Sequence, residues 1–228
     1  MSNRHTKNSD MKRMVLGIDE AGRGPVFGPM IMCGALIDES KLEQLPKIGV
    51  KDSKSLAPKR RVTLSSRIVE ILDGHILLEI SPKEIDRSVE KKELNILEAK
   101  KMAELIEKLR ADIVYVDSPQ TSTEKYSKRI REGLSFEPKI IAENYAETKY
   151  PIVAAASILA KVRRDQIIER LREKYGDFGS GYPADKRTRE FLFRWYEKHK
   201  RFPEEVRKSW KTTKNIIREI DSKQKTLF

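Results

Sequence analysis

Three carboxylates stand where apolar runs give out. Met14-Val-Leu-Gly-Ile-Asp19 and Ile113-Val-Tyr-Val-Asp117 are each an apolar run that closes on an aspartate, with turn-forming residues behind it. Such short runs read as buried strands. In α/β sheets, sites form at the carboxyl ends of strands. If these two strands are neighbours, Asp19 and Asp117 meet at one end of the sheet. Carboxylates held together repel, so one takes a proton or a cation sits between them. The chain has three histidines and one cysteine, Cys33, with no His or Cys cluster near the acids. The natural cation is therefore Mg²⁺ or Mn²⁺, which accept oxygen ligands.

Glu20 follows Asp19 directly. Adjacent side chains on a strand point to opposite faces. Glu20 is thus expected to join the site only if the strand ends there and the chain turns, and Ala21-Gly22-Arg23-Gly24-Pro25 supplies a turn. Taken singly, each acid could instead be solvated or cap a helix. The glycine loop is neither a Walker loop nor a dinucleotide fingerprint. As bare chemistry, its two glycines let backbone approach a ligand closely, and Arg23 offers a partner for phosphate.

The elements that must position these groups alternate along the chain. Further strands are expected at Pro29 to Ile37, His75 to Ile80 and Lys139 to Ala142. Ile96, Ala99, Ala103, Ile106 and Leu109 recur every three or four residues and predict a helix just before the Ile113 strand. Pro151 suits a first helical turn and opens a helix to about Tyr175. Its Ala154-Ala155-Ala156 run allows close approach to a sheet. Residues 185–220 read as helical, basic and aromatic. The main body is therefore α/β, with a mixed sheet flanked by helices and a small C-terminal helical subdomain. The expected division is residues 1–183 and 184–228, with 1–11 as a disordered tail.

A chain of 228 residues with 38% hydrophobic residues suits one core. Charged residues reach 36%, and 47 basic against 35 acidic side chains give a net charge of +12. That field favours polyanions, whether nucleic acid or anionic membrane. Dense charge of both signs is also a thermophile habit. One cysteine excludes an internal disulfide and, with so few histidines, a zinc site built on thiolates. No apolar run approaches the ~20 residues of a membrane span, and the polar first residues lack a signal-peptide core. A soluble, cytoplasmic, monomeric protein is expected.

Together, Gly17-Ile-Asp-Glu-Ala-Gly-Arg-Gly-Pro25, Lys51-Asp-Ser-Lys54, Val116-Asp-Ser-Pro119, the Tyr150–Lys161 stretch and Tyr175–Pro183 resemble the ribonuclease HII family, in the family's order. Ser209-Trp-Lys-Thr-Thr213 resembles archaeal members. The resemblance implies a ribonuclease H-like fold and hydrolysis of the RNA strand of RNA–DNA hybrids, with incision at ribonucleotides embedded in duplex DNA. It places Asp19, Glu20 and Asp117 on the family's metal-binding carboxylates. Gly22, Arg23 and Gly24 fall on the loop that senses the ribose 2′-hydroxyl, and Tyr182 on a tyrosine that stacks against the neighbouring deoxyribose. Lys54 and Lys161 fall on or near phosphate-contacting lysines. The family's fourth carboxylate is an Asp four residues before the Tyr-Pro pair. Here Glu147 stands nearest that place, with Glu143 as the second candidate. The implied mechanism is in-line attack of water, assisted by two metal ions about 3.5–4 Å apart, leaving a 3′-hydroxyl and a 5′-phosphate.

Trp195, Tyr196, Arg201, Arg207, Trp210 and Lys211 could grip a duplex or simply pack a helical surface. The bland reading suits the tryptophans better, and the functional one some of the lysines and arginines. Gln224-Lys-Thr-Leu-Phe228 resembles the start of a sliding-clamp-binding peptide, without its later aromatics. Competing readings are a related nuclease acting on DNA junctions and an inert nucleic-acid-binding protein, the latter disfavoured by the intact acidic set.

Overall fold

The computed structural model describes residues 12–50 and 57–225, with side chains as far as residue 222. The apolar runs pair as one sheet: β1 (Met14–Ala21), β2 (Met30–Asp38), β3 (Gly74–Ile80), β4 (Ile113–Asp117) and β5 (Lys139–Glu143). Across the sheet the order is β3-β2-β1-β4-β5. β1 to β3 form an antiparallel meander, while β4 runs parallel to β1 and β5 parallel to β4. The helices are α1 (Gln44–Lys47), α2 (Pro58–Ile71), α3 (Pro82–Glu90), α4 (Leu94–Leu109), α5 (Thr123–Arg131), α6 (Ala146–Lys149), α7 (Pro151–Tyr175), α8 (Lys186–His199) and α9 (Lys211–Lys225).

Alternation along β1 builds two cores. Val15 and Ala21 face α7 and α2, in one cluster with Ile31, Cys33, Ile68 and the Ala154–Ala156 run. Leu16 and Ile18 face α4 and α5, among Met102, Leu105, Ile106, Tyr126 and Ile130. The contact of α7 with β1 is very close. A Cβ on Gly17 would lie 2.5 Å from the backbone carbonyl of Ile152. The alanine run therefore does what its small side chains predict, and Gly17 is the matching gap in the strand.

The C-terminal half differs from the expected continuous helical stretch. Lys200, at φ 55°, ends α8, and an irregular segment with Pro203 leads to α9. A left-handed residue followed by a proline cannot continue a helix. Leu192, Phe202, Val206, Ile216 and Ile220 share a third apolar cluster with Val26, Phe27, Ile168 and Leu171 of the body. The C-terminal helices thus pack directly behind the glycine loop that follows β1.

Candidate active site

Asp19 and Asp117 come together as neighbouring parallel strands require. Ile18 pairs with Val116, so the two aspartates lie side by side at the strand ends. Asp19 is buried, and burial chiefly pushes its pKa up to about 7. A hydrogen bond from Ser157 and the charge of Lys161, both on α7, oppose the rise, while the charge of Asp117 adds to it. The Glu20 N–H donates to Asp19 Oδ1 at 2.7 Å. Asp117 Oδ1 accepts the Ala146 N–H at 2.8 Å, which ties the start of α6 to the site.

The strand does not stop at Glu20. β1 pairs with β2 through Ala21, and the turn begins only at Gly22. Glu20 therefore points to the other face, as strand alternation demands. It still feels Asp19 and Asp117. Burial first, then Asp19, Glu98 and Asp117, hold its proton affinity well above the ordinary carboxylate range. Its buried Oε2 has no hydrogen-bond partner among the described residues. Negative charge is thus concentrated around the ends of β1 and β4 with little to offset it.

That donor set fits a hard divalent cation, which would supply the missing positive charge. Among the described residues, no three His, Cys, Asp or Glu side chains are drawn tightly enough to hold an ion as they stand.

A cleft of about 700 Å³ opens beside these acids, lined by Glu20, Gly22, Gly24, Lys161, Arg164 and Tyr182 among others. The carbonyls of the loop are held from behind. Arg207 donates to Gly22 O at 2.5 Å, Arg23 O at 2.8 Å and Gly28 O at 3.1 Å, and Trp210 Nε1 donates to Gly24 O at 3.0 Å. All described peptide bonds are trans. In a trans peptide, C=O and the following N–H are antiparallel. The N–H groups of Arg23 and Gly24 therefore point away from Arg207.

Known proteins resemble this chain in sequence and in fold. A family model described as Ribonuclease HII matches residues 16–213. A ribonuclease HII of Thermococcus sibiricus is 49% identical over 210 residues, covering 91% of this chain and 93% of that protein. The crystal structure of ribonuclease H2 from Pyrococcus horikoshii superposes with a TM-score of 0.87 at 46% identity, covering 91% of this chain and 99% of that one. The ribonuclease HII of Archaeoglobus fulgidus, solved in complex with PCNA, gives 0.81 at 44% identity, covering 89% and 96%. The chain belongs to the ribonuclease HII family. It is an enzyme of the ribonuclease H kind, and its sheet flanked by helices is the ribonuclease H-like fold that the sequence led us to expect.

In this member of the ribonuclease HII family the two glutamates after β4 differ sharply. Glu147, on α6, is buried. Glu143 is turned to Lys149 and to the Tyr150 hydroxyl, the latter at 2.9 Å, and these partners hold its carboxyl below the usual range. Pairing with a lysine is the alternative role its place at the end of β5 allows.

Several expectations need correction. Arg23 lines the cleft, but two of its guanidinium nitrogens are engaged by α4 and not held ready for a phosphate. Its Nε donates to Glu98 Oε1 at 2.7 Å and its Nη2 to Asn95 Oδ1 at 2.8 Å, both on α4. Arg207 is fully buried behind the loop and has no surface with which to grip a duplex. Trp195 packs on Tyr175 and Phe191 as the bland reading holds, but Trp210 also anchors the loop. The glycines divide their work. Gly22 has φ +86°, and a Cβ there would lie 2.3 Å from Arg164 Nε, so its need is internal. At Gly24 the first atom met would be Tyr182 Cε1 at 3.7 Å, on the cleft side.

Sequence reasoning missed Arg164, Glu98 and the anchoring role of Arg207. Arg164 is buried one turn beyond Lys161, donates to Phe27 O at 3.1 Å, and lies 5.9 Å from the exposed Tyr182 ring. Its i+3 spacing from Lys161 was the available signal. Lys54 lies outside the described residues, as does the end of the Gln224–Phe228 peptide.

Proposed function

We propose that this chain hydrolyses the RNA strand of RNA–DNA hybrids and incises duplex DNA at single embedded ribonucleotides. One observation carries the reading: a single cleft is lined both by an acidic residue of the strand-end cluster and by a loop whose N–H groups are turned away from its carbonyl anchors. RNA differs from DNA locally only by the 2′-hydroxyl, a hydrogen-bonding group that such N–H donors can read.

Asp19, Asp117 and Glu147 would hold Mg²⁺ or Mn²⁺, as two ions, and Glu20, which leaves β1 on the other face but still feels Asp19 and Asp117, would join them at the strand end. When bound, the metal supplies an activated water and neutralises the departing 3′-oxygen, giving 5′-phosphate and 3′-hydroxyl ends. Ser157 and Lys161 orient and temper Asp19. Lys161 and Lys54 meet substrate phosphates. The Gly22-Arg23-Gly24 backbone takes the ribose, and the exposed Tyr182 ring stacks against the next sugar. The helical subdomain that opens at residue 184 braces this loop through Arg207 and Trp210. The PCNA complex of the Archaeoglobus relative supports a sliding-clamp contact, for which the clamp-like sequence Gln224–Phe228 is the candidate.

The test is incubation, with Mg²⁺, of a DNA duplex carrying one ribonucleotide beside an all-DNA control, with the cut mapped to one nucleotide. We expect one incision at the ribonucleotide and none in the control. Equal cutting of both, or binding without cutting, would replace this reading with the junction nuclease or the inert binder.

A further inference from the structure

Glu98 is a charged residue in an apolar place. It lies on α4 beside Ala99 and Met102, on the face that packs against the sheet, and it is fully buried. A buried charge persists only with good compensation. Here the compensation is Arg23, from the loop 75 residues earlier, through Nε–Oε1 at 2.7 Å and Nη2–Oε2 at 3.4 Å. Asn95, one turn earlier on the same helix face, takes Nη2 at 2.8 Å. Three contacts from one helix thus fix the direction of one side chain.

The backbone of the same residue is fixed independently. Arg207 holds the carbonyls of Gly22 and Arg23, and Trp210 that of Gly24. A peptide plane turns about the bonds on either side of it. With the Arg23 side chain tied to α4 and its carbonyl tied to Arg207, the Arg23–Gly24 plane has no easy rotation left. A hydrogen-bond donor that must read one hydroxyl needs that restriction.

We propose that Glu98 is a positioning residue for sugar discrimination, acting through Arg23 on the N–H groups of the loop. This rests on the ribose-sensing role given to Gly22–Gly24 above. Arg23 then serves as a strut, with its charge spent inside the protein. Glu98 itself is fully buried, while part of the Arg23 side chain remains at the cleft.

The experiment compares kcat/KM on two duplexes that differ at one nucleotide, ribose in one and 2′-deoxy-2′-fluororibose in the other. An inactive fraction lowers both rates alike, so a purely structural role leaves their ratio unchanged. Glu98→Gln keeps the size and removes the charge. It should lower the preference for ribose about tenfold, the scale of a small misplacement of a positioned group. Arg23→Lys, at a half-exposed position, keeps the charge but not the fork, and should do the same. It decides the matter alone if Glu98→Gln fails to fold. The double variant should lose no more than either single one, because the two residues act as a unit. Wild-type ratios in both single variants, or additive losses in the double, overturn the proposal. Gly24→Val separates the layers. If it changes the ratio while the Glu98 and Arg23 variants do not, the loop still senses ribose and only the role of Glu98 falls. An unchanged ratio in Gly24→Val removes the ribose-sensing role itself, and this inference with it.

Discussion

Two buried charge clusters lie on opposite faces of the same strand end, and they are built on opposite principles. On the α7 face, Asp19 and Asp117 sit together, and Ser157, the Glu20 N–H and Lys161 temper Asp19 without cancelling the effect of burial. On the α4 face, burial raises the pKa of Glu98, and the Arg23 guanidinium, with Arg207 behind it, works against that rise. Glu20 stands between them and feels both. The first cluster carries excess negative charge and is built to receive a cation. The second is balanced and is built to hold a loop still. A buried charge left uncompensated belongs to function, and a compensated one to architecture.

This contrast predicts where mutations strike. The largest effect on activity is expected from Asp117→Asn. The amide cannot supply the charge a metal needs, and turnover should fall roughly a thousandfold or more. Thermal stability should not fall with it, because a repulsion has been relieved. A cleavage assay paired with a melting curve checks both. Near-wild-type turnover would end the metal reading of this cluster.

The balanced cluster should respond in reverse. Arg207→Met removes three hydrogen bonds to buried carbonyls, and a cost of about 3 kcal/mol is expected on the scale of unsatisfied buried groups. Denaturant unfolding measures it. A loss below ~1 kcal/mol would show that water replaces the guanidinium without strain.

The next comparison lies inside the acidic cluster. Glu147 is buried, whereas Glu143 is neutralised by Lys149. Glu147→Gln should lower kcat about ten- to a hundredfold and raise the Mg²⁺ requirement, since one charged ligand is lost. Glu143→Gln should change kcat only about twofold, in line with a partly exposed ion pair. Glu147→Asp, the family's usual residue, should keep much of the activity. A reversed ranking in Mg²⁺ titrations would move the fourth ligand to Glu143.

The smallest effect concerns pH. The carboxyl of Asp19 rises from 3.8 to about 7 on folding without metal. Between these values the folded state binds more protons than the unfolded one, so stability falls as pH rises through the window. Melting temperatures of the metal-free protein should therefore drop from pH 4 to pH 7. Asp19→Asn should reduce that slope, with Glu20 leaving a remainder of the same sign, and added Mg²⁺ should flatten it. A slope unchanged in Asp19→Asn would assign it to another group.

Much of this was written in the sequence. The Ile113–Asp117 strand and the Pro151–Tyr175 helix match their expected limits, because a change between polar and apolar residues bounds the strand and Pro151 and Gly176 bound the helix. α2 and α5 were not foreseen. α2 buries only Leu64 and Ile68, and α5 only Tyr126, Ser127 and Ile130, which is too sparse for a clear period. β1 outran its expected end because Glu20 and Ala21 pair with Met32 and Ile31 of β2, and pairing does not need an apolar residue.

By itself the sequence determined the sheet strands, the acids at their ends and the glycine loop beside them. Those follow from local patterning, which a chain carries in consecutive residues. Only the tertiary structure decided which charge meets which. Nothing local tells Arg23 to turn to Glu98 instead of a phosphate, or sends Arg207 across more than 180 positions to the loop carbonyls. Those choices were made by burial, where each charge takes the partner that the packing of α4 and the C-terminal segment brings within reach.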